Sequence, residues 1–365
     1  MAEIRVEFLT KTFGTFTAVK GVNFTVDHGA FFVILGPSGC GKTTTLRMIA
    51  GLELPTSGRL LLDGQDVTGL AASARDIAFV FQLFALYPHM NVRQNIAFPL
   101  RCQNYPRAEI NKAVEEAARL LRIDHLLDRR VGGLSGGDRQ RVALGRAIVR
   151  RPKAFLMDEP LGALDSEFRK LMCSELRELH DRIDATSVYI THDQLEAMAM
   201  ADRLAIMNGG IIEQIGTPQE IYDRPNTMFV ADFIGAPPMS FLNVRTALRR
   251  GDRIIKVDGA QVPMPELFED RAEAEFALGV RPENVSFADG SALRGRVIGA
   301  EYLGTTQIVT VAAAGGQIKA RLPSSKPVQI GETVGLSLRP DRLSVFDATS
   351  GHVLSSALHT GGRHG

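Results

Sequence analysis

Most of the chain alternates short apolar segments with segments of helical periodicity. Apolar side chains recur at helical spacing in residues 107–130 and again in residues 166–182. Largely apolar segments of strand length occupy residues 31–35, 154–157, 187–190 and 203–207. Strands of this kind, separated by helices, are typical of a parallel sheet that is covered on both faces. The pattern therefore predicts an α/β domain over residues 1–235.

The pattern changes after residue 235, where short strands and turns replace the long helical segments. Residues 281–287 resemble residues 339–346, and two copies of a strand-entry motif predict two related small β-barrels. The copies are short, so a coincidental match is the alternative. The second domain is thus predicted to be all-β over residues 236–365. Its Gly/Ser-rich end carries loosely spaced histidines and is predicted to be a disordered tail rather than a metal site.

Composition narrows the classes of function. The chain has 365 residues, of which 45% are hydrophobic and 23% charged, as is ordinary for a globular protein of two domains. A formal net charge of +1 argues against a dominant nucleic-acid or anionic-membrane surface. No apolar run reaches the length of a membrane span, and the N-terminus lacks the pattern of a secretion signal. Cys40, Cys102 and Cys173 lack metal spacing and are interpreted as reduced thiols of a cytosolic protein.

Residues 36–43 follow one of the apolar strands and match the phosphate-loop pattern G-x-x-x-x-G-K-[ST] in full. Glycines let the backbone curl so that successive N–H groups converge on phosphate oxygens, and the helix that follows adds its positive N-terminal end. Lys42 is predicted to reach the β- and γ-phosphates and Thr43 to hold Mg²⁺. The strand before the loop disfavours the alternative of an accidental glycine-rich turn. The residues predicted to contact the nucleotide here are Gly36, Pro37, Ser38, Gly39, Cys40, Gly41, Lys42, Thr43 and Thr44.

Asp158 and Glu159 come directly after another apolar strand. Open α/β sheets place ligand chemistry at the carboxyl ends of their strands. We therefore expect Asp158 to hold the ligand shell of Mg²⁺ and Glu159 to polarise the attacking water. A solvated acidic turn is the alternative, which the phosphate loop upstream disfavours.

Residues 134–138 read Leu-Ser-Gly-Gly-Asp and precede a helical segment. Together with the phosphate loop they resemble the ATP-binding cassette ATPases, whose signature is Leu-Ser-Gly-Gly-Gln. The resemblance implies that Ser135, Gly136 and Gly137 contact the γ-phosphate bound by the opposite subunit. The local pattern alone predicts a capping box between Ser135 and Asp138, and a capped helix N-terminus is itself an anion site. Asp138 departs from the family pattern, and its carboxylate is expected to repel a triphosphate.

The remaining motifs of the family occur in the expected order. By resemblance, Phe13 stacks on adenine, although a core position is the alternative for a lone Phe. Gln82 joins Mg²⁺ to the helical subdomain, and His192 is the switch residue that contacts the γ-phosphate. Asp165 lies in the loop that crosses the dimer interface, where Gly162 replaces the usual serine. The resemblance implies ATP and Mg²⁺ as cofactors, a metal site of Thr43, Gln82 and Asp158, and catalysis by Glu159, His192 and Gln82.

Residues 85–92, 191–201 and 213–241 resemble the ATPase subunits of bacterial carbohydrate importers of the maltose and glycerol-phosphate type. The resemblance implies an α/β cassette with a mixed sheet and a helical subdomain at about residues 89–152, followed by an all-β domain of OB-like barrels that carries dimer contacts. It also implies a homodimer on the cytoplasmic face of the membrane, two membrane-spanning permease subunits and an extracytoplasmic substrate-binding protein. The segment from Gln82 to His89 would line the groove for the permeases. Whether a cytosolic regulator also binds the chain is left open.

Other functions share some of these motifs. Importers of polyamines, iron or sulfate-like anions have the same cassette, so the motifs leave them open. Cassette proteins that act on chromosomes need a long coiled coil between Lys42 and Asp158, and the residues between them contain no sustained heptads. Ribosome-type cassette proteins carry two cassettes, and this chain has one. A protein that binds ATP without turnover is disfavoured because Glu159 and His192 are both present.

Overall fold

A computed structural model describes residues 2–162, 164, 166–183 and 185–359. The chain divides into two compact units, Met1–Pro218 and Gln219–Gly365. The sequence pattern instead predicts a boundary at residue 235. The segment before that residue groups with the second unit because the buried guanidinium of Arg281 donates hydrogen bonds to the carbonyls of Tyr222, Ala231 and Ile234. In the described part of the chain, no helix is long and apolar enough to cross a membrane.

The strands of the first unit form two sheets. These strands are β1 (Ile4–Phe13), β2 (Phe16–Val26), β3 (Phe31–Leu35), β4 (Ser57–Leu62), β5 (Gln65–Asp66), β6 (Ile77–Val80), β7 (Ala154–Asp158), β8 (Thr186–Thr191), β9 (Arg203–Asn208) and β10 (Ile211–Gly216). One sheet has the order β10-β9-β3-β8-β7-β6 and is parallel except for its edge strand β10. The other sheet, β2-β1-β4-β5, is antiparallel. A shared core joins the two sheets, and in it the rings of Phe24 and Phe32 stack with centroids 5.2 Å apart.

Helices cover the six-stranded sheet and supply a separate helical segment. They are α1 (Lys42–Ala50), α2 (Val92–Cys102), α3 (Arg107–Leu120), α4 (Gly136–Ile148), α5 (Ser166–Ile183) and α6 (Gln194–Met200). Strands β3, β7 and β8 are buried along their whole length, because helices such as α1 and α6 pack against this sheet. Helices α2, α3 and α4 lie between β6 and β7 in the chain and pack on one another.

Helix α3 is shorter than the periodicity of residues 107–130 predicts. It ends at Leu120, and Arg122 then adopts a left-handed conformation with φ 57°. Short 3₁₀ turns follow at residues 124–126 and 131–133. Leu126 and Val131 in these turns are also buried, so the apolar spacing continues past the end of the helix. The helix predicted from that spacing is therefore too long at its C-terminal end.

A buried arginine fixes the helix that follows the phosphate loop. Arg75 is 1% exposed, and its Nη1 donates to Met48 O and Ile49 O at 2.6 and 2.9 Å. These are among the last carbonyls of α1, where a cation is favoured by the helix dipole. Its Nη2 also donates to Thr68 O at 3.0 Å. The end of α1 is thereby tied to the segment that leads into β6.

The second unit is dominated by antiparallel strands. Its helices are α7 (Pro218–Asp223) and α8 (Met228–Phe233), and its strands are β11 (Ser240–Leu248), β12 (Ile254–Val257), β13 (Ala260–Pro263), β14 (Arg271–Val280), β15 (Val285–Phe287), β16 (Arg294–Tyr302), β17 (Thr306–Ala313), β18 (Gly316–Pro323), β19 (Thr333–Leu338) and β20 (Ser344–Asp347). They form the sheets β11-β14-β20, β12-β13 and β15-β19-β16-β17-β18. One apolar core contains residues from all three sheets.

Both copies of the predicted strand-entry motif adopt the same local structure. Residues 282–284 form a 3₁₀ turn before β15, and residues 340–342 form one before β20. The predicted disordered tail is wrong for residues 352–359. There the backbone of Leu267 pairs with that of Ser356, and Leu354 is buried, because apolar side chains of the tail complete the core of the second unit.

Candidate nucleotide-binding site

The phosphate loop is held closely against its surroundings. It begins where β3 ends at Leu35, and α1 begins at Lys42. Gly41 has φ 108°, and a Cβ there would lie 2.6 Å from Ala18 O on β2. A Cβ at Gly36 would lie 2.1 Å from Met207 O on β9. Glycine is therefore required at both positions, because the backbone of the loop passes directly against two neighbouring strands.

Lys42 and Thr43 begin the helix, and their side chains contact the backbone of the phosphate loop and Asp158, respectively. Lys42 is buried, and its Nζ donates to Gly36 O at 2.8 Å and to Pro37 O at 3.0 Å. Its ammonium thus bridges the start of the loop and the start of the helix. Thr43 Oγ1 donates to Asp158 Oδ1 at 3.2 Å.

The pair of Thr43 and Asp158 fits a magnesium ion. Asp158 is 6% exposed at the end of β7, and its burial raises the pKa of its carboxyl group. A hydroxyl and a carboxylate oxygen are the ligands that Mg²⁺ takes together with water and phosphate oxygens. Among the residues that the structure describes, no group of three or more His, Cys, Asp or Glu could hold a metal.

Glu159, Gln82 and His192 lie together although they are far apart in sequence. Glu159 Oε2 is 3.1 Å from His192 Nδ1 and accepts a long hydrogen bond of 3.5 Å from Gln82 Nε2. The three residues follow the carboxyl ends of β7, β8 and β6, which are neighbours in the parallel sheet. Glu159 has the left-handed φ of 44°, and its N–H donates to Ile190 O at 3.1 Å. This unusual backbone conformation directs the carboxylate, as is common at functional sites.

The signature segment caps a helix, but not by the predicted capping box. Ser135 is the N-cap of α4, and its Oγ accepts from Asp138 N at 3.1 Å. The Asp138 carboxylate in turn accepts from the Ser135 hydroxyl at 2.7 Å rather than from the Ser135 N–H. Asp is one methylene shorter than the Glu or Gln of a capping box, so its reach is smaller. The prediction of a full capping box is therefore wrong.

Packing explains one of the two signature glycines, Gly137, whereas a Cβ at Gly136 would make only an ordinary van der Waals contact. A Cβ at Gly137 would lie 2.1 and 2.3 Å from the Phe168 ring on α5, and one at Gly136 would lie 3.4 Å from Leu164 Cδ2. The first turn of α4 therefore lies directly against the segment around the start of α5. Because Gly136 and Gly137 have no side chains, no side chain of their own covers the backbone N–H groups of these two residues.

Two further predicted residues are less well defined. Phe13 ends β1 opposite Phe16 and is 47% exposed, which excludes the alternative of a core Phe. Lys11 Nζ lies 4.9 Å from the centroid of its ring. Stacking of Phe13 on adenine stays a prediction. Asp165 lies outside the residues that the structure describes.

The segment after Gln82 forms a strained loop that no sequence pattern predicts. Phe84 and Ala85 are consecutive non-glycine residues with φ of 61° and 47°. Arg146, near the end of α4, donates to both of their carbonyls at 2.8 and 2.7 Å. The loop borders an open groove whose lining includes Phe81, Tyr87, Phe98, Cys102 and Arg146. Strain of this kind persists only where the surroundings hold it, and here α4 does so.

Comparisons with known proteins identify the family of the chain. Residues 19–162 match the family model for the ABC transporter, and residues 278–346 match the TOBE domain. The chain is 43% identical to the sulfoquinovosyl glycerol transport ATP-binding protein SmoE of Agrobacterium fabrum, over 96% of this chain and 99% of that protein. It is 43% identical to the trehalose/maltose import ATP-binding protein MalK of Thermococcus litoralis, over 97% and 100%. It is 45% identical to the sn-glycerol-3-phosphate import ATP-binding protein UgpC of Rhizobium meliloti, over 95% and 99%.

A solved structure extends the likeness to the fold. CbiO1 of Clostridium perfringens, part of the ABC transporter complex CbiONQ, has a TM-score of 0.56 and 29% identity, over 60% of this chain and 89% of that one. The chain therefore belongs to the ATP-hydrolysing subunits of ABC transporters. Within that class it is a member of the import ATP-binding proteins with a TOBE domain. The predicted family and the predicted fold, a cassette followed by an all-β OB-like domain, are confirmed.

Proposed function

We propose that the chain energises the import of a carbohydrate or a sugar phosphate. The observation that carries this is the match along nearly the whole chain to ATP-binding proteins of trehalose, maltose, sulfoquinovosyl glycerol and glycerol-phosphate transport. Import of a polyamine, iron or an inorganic anion is the alternative, because the cassette is the same. The chain works as a homodimer at the cytoplasmic face of the inner membrane with two permease subunits, which receive substrate from an extracytoplasmic binding protein.

In the proposed reaction each residue has one task. Lys42 neutralises the β- and γ-phosphates, and the N–H groups of the phosphate loop bind their oxygens. Thr43, Asp158 and Gln82 would hold Mg²⁺, which supplies charge neutralisation at the phosphates. Glu159 accepts the proton of the attacking water, since its carboxylate follows β7 beside Asp158. His192, whose Nδ1 lies 3.1 Å from that carboxylate, would contact the γ-phosphate.

The second half of each site comes from the opposite subunit. The Ser135 hydroxyl and the N–H groups of Gly136 and Gly137, at the N-terminus of α4, would bind the γ-phosphate. Nucleotide then bridges two subunits and closes the dimer, and hydrolysis removes the bridge. Closure would move the permeases from inward-facing to outward-facing.

The experiment that tests the proposal starts from native membranes. The tagged chain is purified together with its permeases, which are identified, and the complex is reconstituted with its binding protein. We expect ATP hydrolysis to rise when a carbohydrate or sugar phosphate is bound. Stimulation only by a polyamine, iron or an inorganic anion would contradict the substrate class, and purification without permeases would contradict the partners.

The groove beside the strained loop is the proposed docking surface for the permeases. The ring centroids of Tyr87 and Phe98 lie 4.5 Å apart, and the Arg146 guanidinium lies 5.4 Å from the centroid of the Tyr87 ring. Tyr87→Ala should lower substrate-stimulated hydrolysis about threefold, because it removes an aromatic contact from the interface. Tyr105→Ala, an exposed tyrosine just after α2, is the matched control and should leave stimulation unchanged. Loss of ATP binding in Tyr87→Ala, or tight binding of the purified chain to protein-free liposomes, would contradict the assignment.

Cysteine labelling tests the same surface without a change in the groove. Cys102 is exposed in the groove, whereas Cys40 and Cys173 are buried, and burial raises the pKa of both thiols, that of Cys173 to about 12. A maleimide should therefore modify Cys102 first in the isolated chain. In the assembled transporter this labelling should be about tenfold slower, because the permeases cover the thiol. Equal rates in both would place the permeases elsewhere, and Cys102→Ser provides the background.

A further inference from the structure

Arg169 lies between the segment after Glu159 and the segment around His192, and belongs to neither. It is in the first turn of α5, and its Nη2 donates to the carbonyl of Leu164 at 2.9 Å. Its Nη1 contacts Asp193 Oδ2 at 3.1 Å. Leu164 belongs to the turns that follow Glu159, and Asp193 follows His192 directly. One guanidinium thus joins the segment after the proposed base to the residue next to His192.

The residues on both sides of His192 are held by the same cluster. Asp193 caps α6, because its Oδ1 accepts from the N–H groups of Leu195 and Glu196 at 2.8 and 3.3 Å. Glu196 Oε2 accepts from the Thr191 hydroxyl at 2.7 Å. The Thr191 hydroxyl in turn accepts from Asp193 N at 2.9 Å. The backbone of His192 is therefore fixed by hydrogen bonds on either side.

Arg169 supplies the positive charge that this cluster needs. Glu196 is 4% exposed, and its burial raises the pKa of its carboxyl group. Arg169 Nε lies 3.5 Å from Glu196 Oε1, as an ion pair in addition to the contact with Asp193. Tyr189 OH donates to Glu196 at 2.7 Å but carries no charge. Without Arg169, the carboxylates of Asp193 and Glu196 would face each other at the start of α6.

We propose that Arg169 is a positioning residue that couples the segment after Glu159 to His192. A guanidinium is a rigid planar fork, so its contacts with Leu164 O and Asp193 cannot change independently. A displacement of the segment around Leu164 is thereby transmitted to the backbone next to His192. The inference rests on the proposed contact of His192 with the γ-phosphate.

A double-mutant cycle separates this role from general stabilisation. Single-turnover hydrolysis of Mg-ATP, with the full-length chain in excess, is measured for Arg169→Gln, His192→Ala and the double variant. Arg169→Gln should slow hydrolysis about fivefold and leave the chain concentration that gives the half-maximal rate within about twofold of wild type. In the His192→Ala background, the same substitution should cost less than about twofold, because the residue it positions is gone.

Conservative and matched variants keep the test independent of folding. Arg169→Lys keeps the charge but cannot bridge two partners with one plane, so it should recover only part of the rate. Arg177→Gln removes a second arginine of α5, which binds Met200 O and Asp202 rather than the residues beside His192. It should leave the rate within about twofold of wild type, even where its thermal unfolding shifts as much as that of Arg169→Gln.

Four results would overturn the inference. If Arg169→Gln costs the same factor with and without His192, or if Arg177→Gln slows hydrolysis as much, Arg169 acts only through stability. If His192→Ala itself hydrolyses ATP at the wild-type rate, the proposed role of His192 fails first. Full recovery of the rate by Arg169→Lys would show that charge alone, without the bridge to Leu164, is sufficient.

Discussion

Glu159→Gln should bind ATP with nearly unchanged affinity and lose at least about 100-fold in turnover. The substitution keeps the size of the side chain and its contacts with Gln82 and His192, but an amide cannot accept the proton of the attacking water. The phosphate loop and the contact between Thr43 and Asp158 are not touched. Since the nucleotide then persists, the variant should accumulate as an ATP-bound dimer. The measurements are Mg-ATP hydrolysis and the elution volume on a sizing column with and without ATP.

The control for loss of a negative charge is Glu178→Gln. Glu178 lies on α5 with a side chain 59% exposed and pairs with Arg182 at the surface, so hydrolysis should be unchanged. If Glu159→Gln hydrolyses ATP within about twofold of wild type, the base is another residue. If it no longer binds ATP, the left-handed backbone at this position depends on the carboxylate, and the loss of turnover says nothing about proton transfer.

The parts of the site that are contiguous in sequence could be predicted from it. The phosphate loop encodes its own geometry, because glycines stand where β2 and β9 leave no room for a Cβ. Glu159 and His192 could be placed on the same edge of the sheet because each directly follows an apolar strand, and parallel neighbours bring such positions together. The family resemblance alone indicates Gln82, which as a lone glutamine carries no signal, and the role of His192 as the switch residue.

The connections between the loops could not be predicted. Arg146 binds the carbonyls of Phe84 and Ala85, and Arg169 binds Leu164 O, so each recognises a backbone position that no residue type marks. The left-handed residues 84 and 85 are likewise a product of their surroundings, since neither is a glycine. The end of α3 was missed for a related reason. Buried apolar residues continue at helical spacing past Leu120, and periodicity reports burial rather than the backbone turn at Arg122.

The departure at Asp138 gives the second large effect, because this carboxylate engages the group that is proposed to meet the phosphate. The Ser135 hydroxyl donates a hydrogen bond to Asp138 Oδ2 at 2.7 Å and is thereby turned away from other acceptors. Arg141 lies 3.6 Å from Asp138 but also makes three shorter contacts with Glu175. Arg141 is therefore only a partial counter-ion for the Asp138 carboxylate, which lies at the end of α4 that would dock on the γ-phosphate.

Asp138→Gln should lower the ATP concentration for half-maximal dimerisation about tenfold, because it removes a like charge at a partly dehydrated interface and frees the Ser135 hydroxyl. The stability of the isolated chain should change little, since the hydrogen bond from the residue 138 N–H to Ser135 Oγ does not need the carboxylate. Both chains are compared in a Glu159→Gln background, so that hydrolysis does not reopen the dimer. Asp138→Asn, which also removes the charge but keeps the shorter side chain, should give most of the gain. Equal concentrations for Asp and Gln, or tighter closure with Asp, would mean that the carboxylate serves only the cap of α4, and that the restraint on closure must be sought elsewhere in the site.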